Sequence, residues 1–308
     1  MIYLKALSRL ENSYKNALKV PFDDSSKFVF FSDVHRSDNS LSDDFGRNRN
    51  IYFHAMERYY ENDFTYFEAG DGDELWEQPS YNTIFTAHPT IFYILKKFHT
   101  AKRMYMLYGN HNMALSDPKY VEKYLSFSYN DENEVYEPLF PDLKVYDGIV
   151  LEHRDTKQEI LVVHGHQGDL LNDQLWRISY FIIRYFWRAM HLIGVNYLAS
   201  PAKNQQKRHK LEKGYNQWLT AHKHTLLICG HTHRAKFPSK EKLPYFNCGC
   251  CMNPRGITCI ELVHGEMVLV DWHVHSRKDG TLYIKRTVFR GPVKINSYLE
   301  KKDDKTDL

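Results

Sequence analysis

The sequence predicts an α+β chain of stacked sheet and helix layers, and two patterns predict it. In the first half, short apolar runs alternate with segments of helical length, and from Leu143 onward the runs follow one another as strands. A long helical segment from Leu170 to His222 interrupts that second series. With 308 residues and 43% hydrophobic content the chain can bury one large core, so 1–308 is read as a single domain carrying 170–222 as an insertion.

Each element has its own signal. Met1 to Lys19 places Leu7, Leu10, Tyr14 and Leu18 among charges, which is an amphipathic helix and not the unbroken apolar core of a signal peptide. Pro21 and the polar Asp23-Asp-Ser-Ser26 end it, and a cytoplasmic location is expected. After a first strand at Phe28 to Phe31, Arg36 to Asn50 is a polar loop and Ile51 to Asn62 a helix. Tyr81 to Thr100 also reads as helix, broken or kinked at Pro89. A further helix is expected near Pro118 to Phe127, then strands at Val145 to Glu152 and Glu159 to His164, with Asp155-Thr-Lys as the turn between them. The final strands are Leu243 to Asn247, Ile257 to Val263, Met267 to Val274 and Leu282 to Val288, with turns at Gly265 and Gly280.

Composition excludes several functions. Lys plus Arg number 41 against 38 Asp plus Glu, a net charge of +3, so no nucleic-acid partner is expected. The five cysteines (Cys229, Cys248, Cys250, Cys251 and Cys259) are odd in number and crowded into the last third, unlike a secreted disulfide framework. Arg177, Arg184, Arg188 and His191 interrupt the apolar run at Leu175 to Ile193, so it does not read as a membrane span.

Five apolar runs end in the same chemistry. Lys27-Phe-Val-Phe-Phe-Ser-Asp-Val-His35 ends in Asp33 and His35, and Phe64-Thr-Tyr-Phe-Glu-Ala-Gly-Asp-Gly-Asp-Glu74 stops at Gly70 and delivers Asp71. The run into Gly109 ends in Asn110 and His111, the run at Glu159 to Val163 in His164 and His166, and the run at Thr225 to Cys229 in His231 and His233. One apolar run stopping at Gly-Asp reads as an ordinary turn. Five such strands, ending in Asp, Asn and His, describe one polar site on a sheet edge. Carboxylate, amide and imidazole are ligands for borderline divalent metals.

In order, Asp-x-His, Gly-Asp-x-x-Glu, Gly-Asn-His, His-Gly-His and Gly-His-Thr-His resemble the motif series of the calcineurin-like metallophosphoesterase superfamily across Phe28 to His233. Phe246-Asn-Cys-Gly-Cys resembles that family's Asn-x-Gly-Ser turn. The resemblance implies a four-layer sandwich of two mixed β-sheets flanked by helices, with the site at the C-terminal ends of the strands. It also implies two divalent ions, manganese, iron or zinc. Asp33, His35 and His233 would hold one, Asn110, His164 and His231 the other, and Asp71 would bridge them. The implied reaction is attack on a phosphodiester or pyrophosphate bond by a metal-bridging hydroxide, with His111 as general acid.

The chain departs from the family pattern at Asn112, where a carboxylate usually follows Gly-Asn-His; an amide can orient His111 but brings no charge. Within His164-Gly-His166, His164 is favoured as ligand because it directly follows its strand, which leaves His166 to support it or to meet substrate. Arg36 is read either as a phosphate-binding residue or as a solvated loop cation. Glu74 either hydrogen-bonds near the site or caps the next helix. Cys248, Cys250 and Cys251 are read as small residues in a tight turn, because their spacing does not suit zinc, and His273 and His275 are read as structural.

The position of the 170–222 insertion, and its mix of aromatic and basic residues, resemble the helical lid of UDP-2,3-diacylglucosamine hydrolases. That resemblance implies a phosphoester small molecule or a lipid-linked substrate, and it leaves open a peripheral membrane contact through the aromatic cluster from Trp176 to Trp187. The same aromatics could pack on the core or on a second subunit, so the oligomeric state stays open. Other readings are a phosphomonoesterase or protein phosphatase, a nuclease, and a scaffold on a dead phosphoesterase fold.

Overall fold

A computed structural model describes residues 2–78, 80–130, 133–168 and 205–298. Helix α1 (Ile2–Lys15) leads into strands β1 (Leu18–Phe22) and β2 (Lys27–Phe31). Next come α2 (Arg49–Glu61), β3 (Thr65–Ala69), α3 (Tyr81–Ala87), α4 (Pro89–Thr100), β4 (Met104–Leu107) and α5 (Pro118–Leu125). Strands β5 (Phe127–Asn130), β6 (Val135–Pro138), β7 (Val145–Tyr146), β8 (Gly148–His153) and β9 (Glu159–Val163) precede α6 (Gln205–Ala221). The chain closes with β10 (Thr225–Cys229), β11 (Tyr245–Asn247), β12 (Ile257–Val263), β13 (Glu266–Ser276) and β14 (Leu282–Lys294).

Two mixed sheets carry the fold. One has five strands in the order β1-β8-β9-β10-β11, and the other has seven in the order β14-β13-β12-β2-β3-β4-β7. Period-two alternation along the central strands decides what each face meets. In β2, Phe28 and Phe30 point into the space between the sheets, while Val29 and Phe31 meet the α2 and α4 side. Ile160 and Val162 of β9 face that same space, and Leu161 and Val163 face Leu211, Tyr215 and Leu219 of α6 together with Leu10 of α1. The result is helix, sheet, sheet, helix: the four-layer sandwich that the family motifs imply. Each large apolar side chain fully buried there stabilises the fold by roughly 1.5–3 kcal/mol.

Register places the site. β2, β3 and β4 are parallel, with Phe30 opposite Phe67 and Phe67 opposite Tyr105, so their C-terminal ends leave one edge together. β9 and β10 are also parallel, with Val162 opposite Ile228. Inside the sandwich, Phe30, Phe67 and Tyr105 form a cross-strand stack, with ring centroids 4.9 Å apart at each step.

The elements differ from expectation in three places. The first helix stops at Lys15, and Leu18–Phe22 is a strand despite Pro21. As the edge strand of its sheet, β1 leaves one side unpaired and so tolerates a residue without an N–H. The expected strand at Val145 to Glu152 is two strands, β7 in the larger sheet and β8 in the smaller, divided at Asp147, whose carboxylate accepts from Ser13 and Gln167. The β5–β6 hairpin has no counterpart in the sequence reading. Pro89 does separate two helices, α3 and α4, and sits in the first turn of the second. Of the segment read from sequence as an insertion, 170–222, residues 205–222 are described, nearly all of them in α6; the aromatic stretch at Leu175 to Ile193 lies outside the described residues. No described helix is long and apolar enough to cross a membrane.

Candidate metal centre

Where the strands stop, backbone pairing continues for a few residues. Asp33 N donates to Gly70 O (3.1 Å), His35 N to Asp71 O (3.0 Å) and Arg36 N to Gly72 O (2.9 Å), which zips the loop after β2 to the loop after β3. These loops are tightly bent. Asp33, His35, Asp71, His231 and His233 all have positive φ, between 51° and 64°, a region costly for residues with a Cβ. Backbone of this kind turns side chains back over the strand ends, and surrounding structure must hold it there. Two glycines clear the space. A Cβ on Gly70 (φ +85°) would lie 2.5 Å from the His164 ring, and one on Gly109 would lie 2.2 Å from Asp71 Oδ1.

The side chains gather into two adjoining groups, beside a third of His35, Glu74 and His111 that shares His35 with the first. Asp33, His35 and His233 form one, and Asp71, His164 and His231 the other; in each, the candidate ligand atoms lie within 4.8 Å of one another. His233 Nε2 is 3.0 Å from Asp33 Oδ1. Asp71 Oδ2 faces both groups, 3.0 Å from His164 Nε2 and 3.8 Å from His35 Nε2. Asn110 joins the second group, its Oδ1 3.2 Å from His164 Nε2. Other hydrogen bonds orient the ligands from behind. Ser32 Oγ donates to Asp33 Oδ2 (2.6 Å), His231 N to Asp33 Oδ2 (2.9 Å), His111 N to Asp71 Oδ1 (2.8 Å), and the His164 Nδ1–Ala69 O distance is 3.0 Å.

The donor set fits divalent ions. Asp33, Asp71, Asn110 and His164 are at most 1% exposed, so polar and charged groups are concentrated where water does not reach. His35 Nε2 and Asp71 Oδ2 are buried and make no hydrogen bond, and both face the gap between the two groups. Two carboxylates with imidazole and amide donors match a borderline metal. Burial alone would raise the Asp71 carboxyl, but His164 and His111 more than reverse this and hold it far below the usual carboxylate range. Burial likewise opposes ionisation of Asp33, and His233 and His35 overcome it. Burial pushes His233 below its ordinary value despite Asp33, whereas, against burial, Asp33 and Glu74 raise His35 and Asp71 raises His164.

The structure brings Asp33, His35, Asp71, Asn110, His164, His231 and His233 together, with His111 beside them, its ring 4.6 Å from that of His35. His166 is buried behind His164, with ring centroids 5.5 Å apart; burial and the neighbouring histidines push it well below its ordinary value. Arg36 is not the solvated loop cation of the sequence reading, and its guanidinium is engaged by two carboxylates. It is wholly buried, its Nε 2.7 Å from Asp73 Oδ1 and its Nη1 and Nη2 2.7 and 2.9 Å from the Glu68 carboxylate. Tyr66 and Tyr81 complete that network by donating to Glu68 and Asp73.

Glu74, read from the sequence as hydrogen-bonding near the site or capping the next helix, reaches both His35 and His111. Trp76 stacks on His111, which no spacing rule signals. Asn247 donates to Gly230 O (2.6 Å) and Thr232 Oγ1 (3.1 Å), bracing the loop that carries His231 and His233. Cys250 lies in that region but is inert, its thiol pushed up to about 11 by burial.

The sequence model of one family, described as calcineurin-like phosphoesterase, matches residues 26–235. No curated protein sequence matches the chain. Among solved structures, the chain is similar to a conserved predicted phosphoesterase from Streptococcus pneumoniae TIGR4, at 13% identity and TM-score 0.34, covering 85% of this chain and 97% of that one. It is similar to vacuolar protein sorting 29 from Cryptosporidium parvum at 13% identity and TM-score 0.37, covering 87% and 100%. A third likeness is to the cold-active protein-tyrosine phosphatase of a psychrophilic Shewanella species, at 11% identity and TM-score 0.35, covering 88% and 83%. Likeness at this level carries no information about substrate.

Proposed function

The chain belongs to the calcineurin-like phosphoesterase family, and from that premise we propose that it hydrolyses a phosphodiester or pyrophosphate bond in a small molecule, using two divalent ions. Membership makes it a metal-dependent phosphoric ester hydrolase. The observation that carries the finer reading is the position of Asp71 Oδ2, a hydrogen-bond-free carboxylate oxygen facing His35 on one side and His164 on the other. A carboxylate so placed can serve two cations at once. Asp33, His35 and His233 would hold one ion, Asn110, His164 and His231 the other, and Asp71 both. When bound, such ions draw charge from the phosphoryl oxygens and supply a nucleophilic water at neutral pH. Manganese, iron and zinc all suit this donor set.

The chain's own side chains do the rest. His111, with 22% of its side chain exposed, stands at the rim of the site, where it can give a proton to the leaving oxygen. The lipid-linked form of the substrate is proposed from the aromatic residues at Leu175 to Ile193.

The test is a substrate panel on protein reconstituted with manganese: a phosphate monoester, a diester, a nucleotide diphosphate conjugate, and an acylated version of the last. Turnover of the diester or the conjugates above the monoester supports the proposal, and preference for the acylated form supports the lipid-linked substrate. Turnover of the monoester alone would replace the proposal with a phosphomonoesterase, and metal-loaded protein that cleaves nothing would sink it.

A further inference from the structure

Strands β13 and β14 outrun their sheet. β12 is antiparallel to β2, with Val263 opposite Lys27 and Ile260 opposite Phe30, and it pairs with β13 from Val263 opposite Glu266 to Ile257 opposite Trp272. Ile257 and Trp272 therefore stand at the end of the sheet where β2 delivers Asp33. Past that level, among the described residues, His273, Val274, His275 and Ser276 pair only with β14, through Lys285, Ile284, Tyr283 and Leu282. At about 3.3 Å per residue this two-stranded ribbon overhangs the metal-centre edge by about 13 Å, two strand spacings, or about 10 Å, to the side of β2. Its foot rests on a loop that also reaches the site. Cys251 N donates to Asp33 O at 3.0 Å, and further along that loop a Cβ on Gly256 would lie 2.4 Å from Trp272 O and 3.0 Å from His273 Cβ.

Alternation gives the ribbon two unlike faces. Met267 and Leu269 of β13 point into the space between the sheets, so Asp271, His273 and His275 lie on that side, with Tyr283 and Lys285 opposite them on β14. The metal centre gathers where the ends of both sheets meet, so this is the face on its side. Arg277 joins that face, its guanidinium 5.2 Å from the centre of the Tyr283 ring. On the opposite face, Arg286 is neutralised by both oxygens of Glu261. The inter-sheet face is different: His273 takes up its acid, Asp271, at 2.7 Å, and the exposed Lys285 and Arg277 have no carboxylate partner among the described residues. Long cations left unneutralised beside a phosphoester centre favour an anion between them. We propose that this face is a substrate-binding arm that holds a second phosphate, separated from the scissile one, through Lys285 and Arg277. The proposal rests on the phosphoesterase reading above and narrows its substrate to esters with a further anionic group beyond the scissile phosphate. A substrate with one phosphate would reach the metal centre and leave the arm empty.

The experiment gives the manganese-loaded full chain a matched pair of diesters, thymidine 5′-(p-nitrophenyl phosphate) with and without a 3′-phosphate, which differ only in the second phosphate. In wild type, kcat/KM for the ester with two phosphates is expected to exceed that for the plain ester by about 10-fold, through KM and not kcat. The preference should fall to about 3-fold in Lys285→Glu or Arg277→Glu, vanish in the double variant, and erode with added salt. Lys278→Glu, at the ribbon tip beside Asp279, controls for overall charge and should keep the preference. Calorimetric binding of thymidine 3′,5′-bisphosphate against thymidine 5′-monophosphate repeats the comparison without turnover. No preference in wild type, a loss in kcat with KM unchanged, or an equal loss in Lys278→Glu would overturn the arm. Wild type that favours the bisphosphate in calorimetry, loses this in the double variant and cleaves neither ester would keep the arm and fail the phosphoesterase reading. Should the double variant not fold, Lys285→Ala with Arg277→Ala carries the same comparison.

Discussion

At the scale of single residues, the site depends on atoms that are absent as much as on those present. A methyl group at Gly109 would need to displace Asp71, because its Cβ would meet Oδ1 at 2.2 Å, and that oxygen is held in place by His111 N at 2.8 Å. Gly109→Ala is therefore expected to lower stability by about 1–3 kcal/mol in denaturant titration and to reduce metal content at the same time. A stable Gly109→Ala protein with full metal content would mean that the strand-end packing is looser than described. His111 gives a second residue-scale prediction. His111→Ala should keep its metal, since other residues hold the ions, and should lose turnover by about 100-fold for poor leaving groups and much less for activated ones. Equal losses on both would make His111 a phosphate-positioning group and not an acid.

At the scale of elements, the two loops that leave β2 and β3 are tied by a buried ionic network as well as by backbone hydrogen bonds and apolar packing. Arg36 joins Glu68 inside β3 to Asp73 beyond it, and Tyr66 and Tyr81 fill the remaining acceptor sites. Removing the cation alone leaves two buried carboxylates facing each other. Arg36→Met should thus cost about 3–5 kcal/mol, read from urea unfolding, and the loss should shrink when Glu68→Gln and Asp73→Asn are added. A neutral Arg36→Met would contradict the network's role. The strands that build this layer were legible because Phe28 to Phe31, Ile160 to Val163 and Leu226 to Cys229 are apolar on both faces, the mark of strands covered by helices on one side and a sheet on the other. β1 was not, because five residues with Pro21 among them pair only through tertiary context; the break at Asp147 was marked by the Asp147-Gly148 turn signal, which the reading of Val145 to Glu152 as one strand passed over.

At the scale of the whole molecule, the candidate ligands come from segments spread between Asp33 and His233, yet the sequence revealed them because each stands at the end of an apolar run. What it concealed is who touches whom. The burial of Arg36 and the double contact of Glu74 depend on how loops from different strands cross, and no spacing along the chain encodes that. The central claim is that the convergence of these strand ends is a metal centre with Asp71 as the shared ligand. Ions that bind only the folded chain should also stabilise it, so chelation is expected to lower the thermal midpoint and added manganese to restore it. The most direct test is elemental analysis of metal per chain, alongside turnover of a preferred phosphoester, for wild type and Asp71→Asn. The account predicts about two ions per chain in wild type, with metal content reduced and turnover lost by at least ~100-fold in Asp71→Asn. Wild-type turnover in Asp71→Asn with its metal content unchanged would contradict it.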